Sequence, residues 1–158
     1  MTEADALFAK AYDLNVVEEQ HEKAISICRQ ALELEPNNYR VRVYLGMLLS
    51  DYGTAEQQEE GRKHFLEGIT VAKDNPELCD NWFEESGLHN LAIWEWKHGD
   101  RVTACLLFLA DVLTCHSKES YEYLFKLIDE IIPKRSTDLK IVLAKIANLE
   151  SSRSRDTH

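Results

Sequence analysis

The side chains best suited to chemistry are few. Glu85 and His89 stand one helical turn apart, with Cys79, Asp80 and Glu84 close by. A carboxylate and an imidazole so placed can share a metal ion in a helical bundle. Chance placement on an acidic chain accounts for the group more simply, and no metal or cofactor is expected. Cys115 and His116 are adjacent in sequence and do not read as a chelating pair. No nucleophile elbow, phosphate loop or glycine-rich dinucleotide fingerprint occurs. The chain is read as a non-enzyme, with a small helical metal-dependent enzyme around Glu85 and His89 as an alternative. The four cysteines, Cys28, Cys79, Cys105 and Cys115, form no C-x-x-C pair and sit in helical patterns, where a free thiol behaves as a small apolar residue.

The 158 residues amount to one domain, and an apolar fraction of 44% with 3 Pro and 6 Gly suits a folded chain with short loops. A net charge of -10 disfavours nucleic acid, whose affinity comes from basic groups displacing counterions. It disfavours an anionic membrane surface equally. No apolar run approaches the ~20 residues that cross a bilayer, and the acidic start Met1-Thr2-Glu3-Ala4-Asp5 does not resemble a secretory leader. A cytoplasmic protein with another protein or peptide as partner is the expectation; the oligomeric state is left open.

The periodicity predicts an all-α chain of about eight helices. Thr2 and Asp5 make a capping box before a helix to Val17, with Leu7, Phe8, Ala11 and Leu14 on one face. A turn without Gly or Pro falls around 18–21. The next helix carries Ala24, Ile25, Cys28 and Ala31. Pro36 cannot continue it, and Asn37 or Asn38 caps a third helix, Tyr39 to Tyr52, closed by Gly53 in the left-handed conformation. Thr54 opens a fourth, which becomes core-like from Phe65 to Val71. A fifth spans Pro76 to Lys97, with Ser86-Gly87 in its middle as the place for a kink or split. Arg101 to Cys115 form a sixth, and Ser117 caps a seventh that ends at Pro133. An eighth starts at Ser136 or Thr137. Residues 151–158 are polar and aperiodic and are expected to be disordered. Of the aromatics Trp82, Phe83, Trp94 and Trp96, burial in a core is the expected fate.

A small-large-small trio recurs at Ala24, Cys28, Ala31, at Gly61, Phe65, Gly68, and at Ala104, Phe108, Asp111, with Asp111 the poor member. Leu45-Gly46 and Leu91-Ala92 each precede a glycine, Gly53 and Gly99, by the same interval. With Pro36, these spacings resemble the tetratricopeptide repeat, a helix-turn-helix unit of 34 residues. The resemblance covers units 5–38, 39–75 and 85–116, with 117–150 as a helical cap, and implies an α-solenoid of antiparallel hairpins. Insertions after Gly53 and Gly68, and Tyr12 at a small-residue place, depart from it. It further implies a concave groove for a peptide or helix, lined by Arg40, Val43, Met47, Ser50 and Asp51 and by Ser86, His89, Ile93, Trp96 and Lys97. Ala6, Ala9 and Asp13 would add to it, as would Ser120, Tyr123 and Leu127 from the cap. The carboxylate clamp of some family members has no counterpart at Ala9, Asp13, Tyr44, Ser86 and Asn90. The resemblance therefore implies a scaffold or adaptor, or alternatively a dedicated client chaperone of the secretion type.

Overall fold

The computed structural model describes residues 2–75, 87–115, 118–131 and 141. These form seven α-helices and no strand. The expected start of the fifth helix, most of the eighth and the tail 151–158 lie outside the described residues. The chain divides into two compact units, Met1–Asp80 and Asn81–His158.

The first unit holds α1 (Glu3–Val16), α2 (His21–Leu34), α3 (Tyr39–Tyr52) and α4 (Ala55–Asp74), each packed on the next. Short polar signals set the ends. The Thr2–Asp5 capping box forms, and a second one joins Thr54 to Gln57. The Asn38 side chain accepts from the Val41 amide at 3.1 Å. The α1–α2 turn needs neither Gly nor Pro because Glu19 takes the left-handed conformation, φ 55°, and the Gln20 amide reaches back to the Leu14 carbonyl at 2.8 Å. Gly53 departs from expectation. Its backbone is extended, φ -80° and ψ 164°, and what demands glycine is space, since a Cβ there would run into the Leu49 carbonyl.

The core follows the helical period. Ala4 and Ala11 of α1 and Ala24, Ile25, Cys28 and Ala31 of α2 are buried with Val41, Leu45, Leu48 and Leu49 of α3. Complete burial of one such leucine is worth about 1.5–3 kcal/mol. Burial also pushes the Cys28 thiol up to about 12, so it is a packing group and not a nucleophile. On its other side α3 meets α4 almost backbone to backbone. A Cβ on Gly46 would lie 2.6 Å from the Phe65 ring and 3.1 Å from the Gly61 carbonyl; one on Gly61 would lie 2.8 Å from the Gly46 carbonyl. The large member of the α4 trio thus fills the space left by the glycine of α3.

His64 of α4 is flanked by Arg29 of α2, Arg42 of α3 and the α4 carboxylates Glu60 and Glu67. Arg29 grips Glu60 with two contacts of 2.9 and 3.0 Å, and Arg42 binds Glu67. Burial, and then the Arg42 charge, hold the imidazole below its ordinary value.

The second unit contains α5 (Gly87–His98), α6 (Arg101–Cys115) and α7 (Lys118–Ile131), again with consecutive helices in contact. Asp100 caps α6, accepting from the Thr103 amide and hydroxyl at 2.7 Å each, which keeps its carboxyl below the usual range. The core joins Ala92, Ala104, Phe108, Leu124, Leu127 and Ile128.

Two outcomes follow from this packing. In an exposed helix Gly→Ala is favourable by about 1 kcal/mol; here Gly46→Ala and Gly61→Ala each cost about 1–3 kcal/mol through overpacking, measured by urea unfolding. For His64, the unfolded chain takes up a proton near pH 6.5 while the folded chain resists. Stability is therefore complete above about pH 6.5 and declines as pH falls through that value. Unfolding curves at neutral and acidic pH show a smaller decline for His64→Gln than for the wild type; an equal decline refutes the burial of this imidazole.

Candidate interaction faces

In the first unit the face is built where α3 lies against α1. Tyr44 stands edge-on to Phe8, with ring centres 5.3 Å apart, and tilted on Tyr12 at 5.9 Å. Its hydroxyl accepts from the Asn15 amide at 3.0 Å. The Asn15 oxygen faces His21 Nδ1 at 2.7 Å, so that nitrogen carries the proton. The His21 ring is stacked on Tyr52 at 3.6 Å, nearly parallel. Burial pushes the Tyr44 phenol up to about 12, keeping it neutral in this chain of polar contacts. At the far end of the row the Arg40 guanidinium lies 5.7 Å from the centre of the Phe8 ring.

The expected groove residues separate into two groups. Arg40 and Asp51 are exposed and Met47 is half-buried, as are Ala6, Ala9 and Asp13 exposed on α1. Val43 is instead a core residue, 1% exposed and packed toward Gly68. Ser50 is turned into the α3–α4 contact, with its hydroxyl donating to the Gly46 carbonyl at 2.7 Å and standing beside Gly61. The physical reason is the close glycine crossing, which draws the α4-facing side of α3 inside.

In the second unit α7 lies against α5 in a comparable way. Tyr123 is edge-on to Trp96 at 5.1 Å and to His89 at 5.9 Å, and is stacked on Phe108 at 5.2 Å. Lys126 lies 5.1 Å from the centre of the Trp96 ring. Ile93 and Trp96 are half-buried against the core and Lys97 is exposed. Ser120 and Leu127, expected on the groove, are fully buried, because α7 turns them toward α6. Trp94 is buried as expected; Trp82, Phe83 and Ser86 lie outside the described residues.

A feature missed by sequence reasoning lies under this face. Asp111, the apparent flaw in the third trio, is fully buried and accepts a hydrogen bond from the Ser120 hydroxyl at 2.6 Å. That hydroxyl contacts His89 Nδ1 at 2.6 Å. Its one hydrogen goes to Asp111, so His89 Nδ1 is the donor. The corresponding places in the first unit are the apolar pair Ala31 and Val41. The signal in the sequence was the joint exchange of both for polar residues.

The candidate metal ligands Cys79, Asp80, Glu84 and Glu85 lie outside the described residues, and His89 bonds Ser120. The Glu-x-x-His spacing of di-metal bundles does occur, at Glu18–His21 and Glu95–His98. His21 is engaged with Asn15 and Tyr52, and the Glu95 carboxylate accepts from the Asp100 amide at 3.3 Å. No group of three or more His, Cys, Asp or Glu suited to a metal is found among the described residues. None of their helices is long and apolar enough to cross a membrane.

The chain matches no protein-family model and no curated protein sequence. Ser120→Ala leaves the buried Asp111 carboxylate without this donor, and removal of such a partner costs about 1–3 kcal/mol. Chemical denaturation measures it. Asp111→Ala together with Ser120→Ala costs less than the sum of the two single changes; strict additivity refutes their coupling.

Proposed function

We propose that this chain is a tetratricopeptide-like stack of antiparallel helix hairpins, of the α-solenoid kind, that acts as a protein-interaction module and not as an enzyme. The supporting observation is a recurrence of contacts. Buried Ala24, Cys28 and Ala31 on α2 correspond to Ala104, Phe108 and Asp111 on α6; buried Leu45, Leu48 and Leu49 on α3 correspond to Leu124, Leu127 and Ile128 on α7. Tyr44 and Tyr123 hold equivalent places, each packed on the first helix of the hairpin before it. Arg40 and Lys126 lie over rings of those same helices. Each unit thereby presents a face of aromatic rings, a cation and a half-buried apolar residue, Met47 or Ile93. Such a mixture suits a polypeptide segment, since rings supply rigid contact area and flanking charges set register. A cytoplasmic setting accompanies this reading, as the packed Cys28 thiol suits a reducing environment.

Titration of the full chain with peptides selected from a random library, followed by Trp fluorescence, tests the reading. Met47→Glu and Ile93→Glu are each expected to weaken binding about tenfold or more by placing a charge in an apolar contact. Circular dichroism confirms that each variant is folded. Undiminished binding by both folded variants refutes these faces as the recognition surface.

A further inference from the structure

One corner of the first unit gathers exposed large apolar residues beside exposed carboxylates. Tyr12 is 48% exposed, Val16 53%, Val17 74% and Tyr52 52%. The first three occupy the end of α1 and the residue after it; Tyr52 is the last residue of α3. The two tyrosines are joined by a chain of contacts, Tyr12 to Tyr44, Tyr44 to Asn15, Asn15 to His21 and His21 to Tyr52. Val16 follows Tyr12 by one helical turn and shares its face of α1, and the two tyrosines are held by their ring contacts, with less rotamer freedom left to lose on binding.

Its electrostatics are one-sided. Asp13, Glu18, Glu19, Glu22, Asp51 and Glu56 are exposed in the segments that form it, and besides His21 the one basic residue in residues 12–23 and 47–59 is Lys23. The C-terminal ends of α1 and α3 also point here, and neither has a basic residue in its last turn. Helix C-termini carry partial negative charge that a cation stabilises. Exposed tyrosine faces attract cations as well.

Resting on the reading of this chain as a protein-interaction module, we propose that the Tyr12–Val16–Val17–Tyr52 corner docks a segment of another protein in which apolar residues are flanked by lysine or arginine. The apolar side chains cover Val16, Val17 and the tyrosine rings. The cations lie over the ring faces and against the α1 and α3 C-termini, with the acidic rim accelerating encounter.

A synthetic array of random peptides, probed with the labelled full chain, tests this. The selected peptides are expected to combine Lys or Arg with Leu, Phe or Pro. Binding of a selected peptide, measured by fluorescence polarisation, should weaken about tenfold or more in Tyr12→Ser and in Tyr52→Ser. It should weaken likewise in Asp13→Lys and Glu22→Lys, exposed changes that leave the core untouched, and on raising salt toward 1 M, where the screening length falls to about 3 Å. Selection of acidic peptides overturns the proposal, as does binding that is lost in Ile93→Glu but retained in the corner variants; in both cases the module reading stands. An array without any specific binder removes both. Sedimentation showing a dimer that dissociates in Tyr52→Ser overturns it too, since the corner would then be covered by a second copy.

Discussion

Close approach of helix backbones is the constraint from which the rest of this structure follows. Where α3 crosses α4, Gly46 and Gly61 leave no room for even a methyl group, and the Phe65 ring occupies the volume so created. Where α2 meets its neighbours, Ala24 and Ala31 are wholly buried. Helices brought this near exclude water from long strips of leucine and valine, and dispersion and hydrophobic burial increase together. The crossing also decides which side chains remain outside. It draws Val43 and Ser50 inward and leaves Arg40, Met47 and Asp51 on the accessible side.

The second unit reaches a similar arrangement with different chemistry. Ala31 and Val41 are apolar neighbours; at the equivalent places Asp111 and Ser120 are polar and bonded to each other. A carboxylate sealed in a core is costly unless its oxygens are satisfied. Ser120 supplies one such bond and passes the polarity to His89 on a third helix. One hydrogen-bond chain thus links α5, α6 and α7 in a fixed relative position, a constraint with direction that leucine packing does not supply.

Capping residues and the helical period made the helices legible. Thr2, Asn38, Thr54 and Asp100 mark starts through side-chain bonds within one turn, and the small-large-small trios mark contact faces through spacing alone. The groove was less legible. Val43, Ser120 and Leu127 satisfied a family pattern for an exposed lining, yet α4 and α6 bury them. Asp111 read as a defect because its partner, Ser120, stands on another helix. His21 carries no visible signal of its stacking on Tyr52, since the two residues meet only when α3 returns to the start of α2.

What the sequence by itself determined is local and periodic: which stretches are helices, where each begins, and which stripe of each is apolar. These depend on interactions within a few residues, capping bonds and the 3.6-residue period, and are written in order along the chain. The tertiary structure alone decided which faces stay open, which polar residues pair, and where exposed tyrosines gather beside carboxylates. Those outcomes depend on residues distant in sequence being brought within a few ångströms, and no local pattern encodes that proximity.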